Sequence, residues 1–294
     1  MRSILCFLSV ACAMTSVQAV AGDEPVELGV RHVHFAAKPA ALRLRSGAVL
    51  VLAQDTGLPL FAKNVDQIMP IASITKLMTA MVLLDSGLPL LESIDIDKSD
   101  VDRRKGSRSK LKVGTSLMRA EMLKLALMAS ENRAAAALAR NFPGGTEAFV
   151  AAMNQKAVEI GMVNTHFEDP TGLTPDNVST AEDLAKMVAA AHGYPLIREY
   201  TTSDSFKIDS EDRRRHRLLS YVNSNRLVKS RQWDIGLSKT GYISEAGRCL
   251  VMQAMIADRP VIIVLLDSWG KLSRIADANR IKRWIEADLL RISG

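Results

Sequence analysis

Three apolar runs close together near the C-terminus decide the fold: Leu237-Ser238-Lys239-Thr240-Gly241-Tyr242, Cys249-Leu250-Val251-Met252-Gln253-Ala254-Met255-Ile256 and Val261-Ile262-Ile263-Val264-Leu265-Leu266. Each is short, apolar and bounded by turn residues, Gly247 after the first and Asp258-Arg259-Pro260 after the second. That is the pattern of strands. Loops this short join only antiparallel neighbours. Ser205 to Ile208 reads as a further strand upstream. Lys271 to Leu290 then closes the chain as an amphipathic helix, with Leu272, Ile275, Ile281, Trp284, Ile285 and Leu289 on its apolar face.

Toward the N-terminus, Ala48 to Ala53 and Leu58 to Ala62 flank the turn Asp55-Thr56-Gly57 and predict a hairpin. The period then changes. Ile74, Leu77, Met78, Met81, Val82 and Leu84 share one wide face of a buried helix that ends near Gly87-Leu88-Pro89. Residues 90 to 115 are polar and read mostly as loop. Helices follow over Met118–Met128, Ala134–Arg140 and Thr146–Glu159. Ser179-Thr180-Ala181-Glu182 reads as a capping box opening a helix to about His192. Strands, then helices, then strands and a last helix make an α+β fold. The early hairpin and late strands form one antiparallel sheet flanked by helices, with an inserted helical subdomain over about 68–203.

The 294 residues suffice for a large core, and 48% apolar with 24% charged residues is a globular composition. Residues 1–21 read as a signal peptide: Met1-Arg2, an uncharged run from Ile4 to Met14, and small residues at Val17-Gln18-Ala19 and Ala19-Val20-Ala21. The run is shorter than the about 20 apolar residues that span a bilayer. Residues 22–40 read as a tail, and 41–294 as the folded domain. Export places the protein in the periplasm. Cys6 and Cys12 leave with the leader, so Cys249 remains without a disulfide partner, as a buried inert thiol. The net charge of +6 becomes +5 when Arg2 is removed. Basic residues cluster at Arg103-Arg104-Lys105, Arg108-Ser109-Lys110-Leu111-Lys112 and Arg213-Arg214-Arg215. In an exported protein they meet anionic cell wall or lipid rather than nucleic acid, or serve as solvated loops.

Three short motifs carry chemistry. Ser-x-x-Lys starts at Ser73, Ser107, Ser109 and Ser268, and only Ser73 opens an apolar helix. There unpaired N–H groups and the positive helix end favour an alkoxide, and Lys76 lies one turn on, on the same face. A neutral Lys76 amine can take the serine proton. A capping serine with a surface lysine is the bland alternative. Ser130-Glu131-Asn132 lies between two helices. Its hydroxyl can relay a proton and its amide can both donate to and accept from a peptide; a plain helix cap fits too. Lys239-Thr240-Gly241 lies on a strand, with Lys239 and Gly241 on one side and Thr240 on the other. The glycine allows close backbone approach, which suits an edge that pairs with an extended peptide.

In this order, these motifs resemble those of the low-molecular-mass penicillin-binding proteins, the serine D-alanyl-D-alanine carboxypeptidase and endopeptidase family. The resemblance spans about residues 45 to 290. It includes Pro70-Ile71-Ala72-Ser73-Ile74-Thr75-Lys76-Leu77-Met78-Thr79-Ala80, Asp169-Pro170-Thr171-Gly172-Leu173 and Ser179-Thr180-Ala181. Glu131 stands where the family pattern has Asp. The stretches 128–135 and 238–252 are similar to the endopeptidase branch, which cuts cross-links. Only 53 residues follow Gly241, too few for the extra β-rich domain and anchoring tail of many carboxypeptidases.

The resemblance implies a β-lactamase/transpeptidase-like fold and a serine D,D-peptidase acting on peptidoglycan stem peptides and cross-links, inhibited by β-lactams, with no cofactor or metal. Ser73 is then the nucleophile, Lys76 its base, with a pKa lowered by burial and by Lys239, and Ser130 the proton shuttle. Asn132, Lys239, Thr240, Gly241 and Tyr242 bind substrate, with the N–H groups of Ser73 and Tyr242 as oxyanion hole. A D,D-carboxypeptidase is the alternative. A β-lactamase lacks support because no Glu-x-x-Leu-Asn pattern occurs, a β-lactam sensor because no membrane-spanning run follows the leader, and a catalytically dead scaffold because Ser73 and Lys76 are both retained. The last helix packs on the sheet or makes a peripheral membrane contact. The sequence sets no oligomeric state.

Overall fold

The computed structural model describes residues 42–212 and 215–292, of which the side chains at 210–212, 215–217 and 288–292 are excepted. The leader, the tail, Arg213 and Arg214 lie outside the described residues.

Strands β1 (Ser46–Ala53) and β2 (Pro59–Lys63) form the early hairpin, and β9 (Asp234–Ile243), β10 (Gly247–Ile256) and β11 (Arg259–Ser268) form the late meander. They join in one five-stranded sheet of order β2-β1-β11-β10-β9. Every pairing is antiparallel, and β1 docks on β11 with Leu50 opposite Val264. The sheet is covered on both faces, which is why its central strands read as unbroken apolar runs. Cys249, Val251, Ile262, Val264 and Leu266 face the helical block. Leu250, Met252, Ile263 and Leu265 face the last helix, α7 (Ser273–Ile292), through its Ala278, Ile281 and Ile285.

The helical block lies between β2 and β9 in sequence. It comprises α1 (Lys76–Asp85), α2 (Arg119–Met128), α3 (Asn132–Arg140), α4 (Gly145–Glu159), α5 (Ala181–His192) and α6 (Pro195–Thr202). Small two-stranded ladders pair β3 (Met69–Pro70) with β6 (Val178–Ser179), and β4 (Ser93–Asp95) with β5 (Ser116–Met118). A hairpin of β7 (Ser205–Asp212) and β8 (Arg215–Val222) precedes β9.

The segment 90–115 is mostly loop, as its polarity predicts, and holds β4 and a 3-10 turn at Lys98–Asp100, stabilised by a reciprocal cap between Asp97 and Asp100. Other expectations need correction. The cap of α5 is Thr180, whose hydroxyl accepts from the Asp183 N–H, while Ser179 instead pairs with Thr165. α6 and β8 have no clear signal in the sequence. In β8 the buried Leu219 and Tyr221 alternate with exposed Leu218 and Val222, so apolar residues on both faces hide the period. Leu272 precedes α7 and is exposed rather than part of its apolar face.

Candidate functional site

The sheet ends at β9, and this edge faces the helical block where α1 begins. Ser73 sits in a single 3-10 turn (Ala72–Thr75) that feeds directly into α1, not in the α-helix itself. Ala72 adopts φ +49, a left-handed conformation unusual for a residue with a side chain. Such strain needs support from its surroundings. Two glycines supply room for it. A Cβ on Gly172, at φ +76, would lie 2.0 Å from the Ala72 carbonyl oxygen. A Cβ on Gly241 would meet the Ile71 oxygen at 2.9 Å and the Ser73 nitrogen at 3.1 Å. The β9 backbone therefore lies directly against the Ser73 turn.

Lys76 is wholly buried. Its Nζ donates to Ser73 Oγ at 2.9 Å, Asn132 Oδ1 at 2.6 Å and the Thr171 carbonyl at 2.6 Å. Three donors meet three acceptors, so the drawn geometry is that of the ammonium. Burial pushes Lys76 from 10.5 down to about 8, against the pull of Asp169 and Glu131. Burial is the largest cause, and the repulsion between the two lysines is mutual. Lys239 is held well below the usual lysine value first by burial, then by Lys76 and Arg274. Glu131, buried at the N-terminus of α3, is raised by burial.

A second group adjoins the first. Lys239 Nζ donates to Ser130 Oγ at 2.8 Å and to the Thr240 carbonyl at 2.9 Å. Ser130 links α2 to α3 at φ +61, another strained position. Thr240 Oγ1 donates to Ser224 Oγ at 2.8 Å. Asn132, first residue of α3, also donates through Nδ2 to Ser107 Oγ at 2.9 Å. Arg274 of α7 reaches behind β9 and donates to the Gly241 and Cys249 carbonyls at 2.7 and 3.0 Å. Tyr242 is exposed on β9, stacked by Arg248 at 4.4 Å from its ring centroid. Beside Asn132, Asp169 and Thr171 opens a cleft of about 560 Å³ that Arg103 and Arg104 rim.

All eight residues singled out from the sequence thus belong to one neighbourhood. Sequence reasoning missed the roles of Thr171, Gly172, Ser107, Ser224 and Arg274. The turn Asp169-Pro170-Thr171-Gly172-Leu173 aims a backbone carbonyl at Lys76. Asp169 ties the turn by accepting from Thr171 Oγ1 and the N–H groups of Gly172 and Thr174, so that the Thr171 carbonyl points at Lys76. Cys249 is a buried thiol pushed up to about 11 by burial. No cluster of metal-binding side chains occurs among the described residues.

The sheet, the inserted helices and a serine bonded to a buried lysine are those of a serine peptidase with the β-lactamase/transpeptidase-like fold. Residues 34–270 match the family described as D-alanyl-D-alanine carboxypeptidase, and the chain belongs to that family. It is 44% identical over 283 residues to a D-alanyl-D-alanine endopeptidase of Pseudomonas aeruginosa, covering 96% of this chain and 88% of that one. It is 45% identical over 244 residues to the D-alanyl-D-alanine endopeptidase of Escherichia coli, covering 83% and 78%. The DD-transpeptidase of Streptomyces K15 superposes with a TM-score of 0.78 at 28% identity, over 83% of this chain and 98% of that one.

Proposed function

We propose that the protein is a serine D,D-endopeptidase that cuts D-alanyl cross-links in peptidoglycan through an acyl-enzyme on Ser73. The observation that carries this reading is the hydrogen-bonded set Ser73–Lys76–Asn132 lying beside Ser130–Lys239, at the edge strand of the sheet. An edge strand can pair with an extended peptide. Such a peptide would run along β9, with Asn132 holding its backbone. Lys239 and Thr240 would take the carboxylate beside the scissile amide. Ser73 Oγ attacks the D-alanyl carbonyl, and the Ser73 and Tyr242 N–H groups hold the oxyanion. The serine proton passes to Lys76. Ser130 delivers a proton to the departing amine as the C–N bond breaks. Water then cleaves the ester and restores Ser73.

The electrostatics suggest how the base is released. Without substrate the two buried lysines compete, and Glu131 and Asp169 favour charge on Lys76. A substrate carboxylate beside Lys239 favours the charged form there. That positive charge then drives the proton off Lys76. The neutral amine keeps two donors for Asn132 and Thr171 and turns its lone pair to Ser73.

β-Lactams would acylate the same Ser73. Residues 1–21 serve as the signal peptide, 22–40 as a tail and 41–294 as the peptidase domain with its helical insert at about 68–203. The site of action is the periplasm. No helix among the described residues is long and apolar enough to cross a membrane. A carboxypeptidase reading has the support of relatives such as the D-alanyl-D-alanine carboxypeptidase DacF of Bacillus subtilis, 32% identical over 243 residues. The test is a digest of cross-linked muropeptide dimers beside monomeric pentapeptide. Conversion of dimers to monomers, abolished in Ser73→Ala, supports the endopeptidase. Loss of D-alanine from pentapeptide alone overturns it in favour of the carboxypeptidase.

A further inference from the structure

Beyond Thr240 the site does not end. A second, smaller cleft of about 140 Å³ opens there, lined by Ser224, Arg226, Arg248, Lys271 and Arg274. Ser224 is shared with the site, because its Oγ accepts the Thr240 hydroxyl. The register across the sheet places Tyr242 opposite Arg248, and Arg248 opposite Ser268. The cleft therefore lies at the end of the sheet where β9 leaves Lys239-Thr240-Gly241. Exposed Tyr242 and Leu272 flank it, and exposed Trp269 follows directly on Ser268.

Its charges are unbalanced. Arg274 is spent on the Gly241 and Cys249 carbonyls, and burial, reinforced by Arg248, pushes it down to about 10. Arg226 and Lys271 are exposed, and Arg248 lies over the Tyr242 ring. Among the described residues no carboxylate pairs with Arg226, Arg248 or Lys271. Three cations without counter-ions converge on one cleft, against the self-repulsion that this entails. The neighbouring basic loop differs: there Lys105 is paired with Glu245, and Lys110 donates to the Ser220 carbonyl.

We infer that this cleft is a leaving-group subsite that binds a second carboxylate of the departing peptide, and so selects cross-links over terminal D-alanine. The inference rests on the endopeptidase reading. The carboxylate beside the scissile nitrogen is common to both substrates and goes to Lys239 and Thr240. A departing stem peptide also carries its own C-terminal carboxylate farther along the chain. A departing D-alanine has nothing beyond the first. Arg226, Arg248 and Lys271 line a cleft that adjoins Thr240 through Ser224, so a leaving group longer than D-alanine can extend from the Thr240 carboxylate site into it, where Tyr242, Trp269 and Leu272 offer apolar contact for its alkyl parts. Guanidinium groups suit a planar carboxylate through paired N–H donors.

The test uses the exported full-length domain with the double variant Arg226→Gln/Lys271→Gln. Both residues are exposed and remote from the core, so folding is retained. Three substrates are compared: a cross-linked dimer, the same dimer with its leaving peptide amidated at the C-terminus, and a labelled penicillin. The subsite requires kcat/KM on the dimer to fall about tenfold in the variant, on the scale of losing charge-assisted contacts. Wild type on the amidated dimer should drop to the same level, with no further loss in the variant. Penicillin acylation should be unchanged. A dimer rate within twofold of wild type overturns the subsite while leaving the endopeptidase reading intact. An equal loss on the dimer and the amidated dimer also overturns it, because the cations would then be serving some other group. If wild type leaves all dimers uncut, the endopeptidase reading falls, and the subsite with it.

Discussion

Lys76 sets the pH at which the enzyme acylates. With the amine near 8, about one lysine in eleven is neutral at pH 7, about half at pH 8 and about ten in eleven at pH 9. The second-order rate of penicillin acylation should therefore climb about tenfold between pH 7 and 9, with unit slope at first and a plateau above. A lysine left at 10.5 would give about a hundredfold rise over the same interval and no plateau. Because Lys76 and Lys239 repel one another, the observed inflection belongs to the pair. The assignment to this site is sharpened by Glu131→Gln. Glu131 pulls Lys76 upward, so removing its charge should move the inflection to lower pH and speed acylation at pH 7. Stopped-flow quenching with a chromogenic β-lactam reads both. A climb that continues unbroken past pH 9.5 would refute the desolvated-lysine argument. So would an inflection that Glu131→Gln shifts upward.

Further outcomes follow from other contacts. Gly172→Ala combines left-handed backbone with a clash on the Ala72 carbonyl, and should destabilise the fold by about 2–4 kcal/mol in urea unfolding while crippling acylation; a variant of wild-type stability and rate would refute the packing account. The Lys76 shift also governs stability. Below pH 8 the lysine is charged in both states and its burial cost is borne in full. Between about 8 and 10.5 the folded state sheds the proton first, so stability rises with pH. Relative to Lys76→Met, wild type should gain stability approaching about 3 kcal/mol between pH 7 and 10.5, measured by denaturant titration; a flat difference would contradict it. Reversing Arg103, Arg104 and Arg108, all exposed on the basic loop, should reduce pelleting with sacculi and spare a small soluble substrate; equal loss on both would sink a role in wall binding. Cys249, buried and raised to about 11, should resist a thiol reagent at pH 8 until the protein is denatured; rapid native labelling would contradict its burial.

Legibility differed by region for physical reasons. β10 and β11 are apolar on both faces because helices cover both, and a two-sided core leaves a long, unmistakable run in sequence. Ser73, Lys76, Ser130 and Lys239 were readable because short motifs fix their neighbours. What completes the site is contributed by backbone or by distant residues. The Thr171 carbonyl that holds Lys76 lies 95 positions away, and carbonyls leave no trace in composition. Gly172 is required by a clash with Ala72 that only the packed turn reveals. Arg274 looked like one charge among many on an amphipathic helix, yet its guanidinium is turned inward onto β9 and β10. The serine turn was read as the start of an α-helix, since a single 3-10 turn has nearly the same apolar spacing.

The central claim is that Ser73 is the residue acylated. Intact-mass analysis after incubation with benzylpenicillin, followed by peptide mapping, tests it most directly. One penicilloyl adduct should form, on the peptide containing Ser73, absent in Ser73→Ala and greatly slowed in a Lys76 variant that still folds. An adduct on any other residue, or undiminished labelling of Ser73→Ala, would contradict the assignment and with it the mechanism built on the Ser73–Lys76 contact.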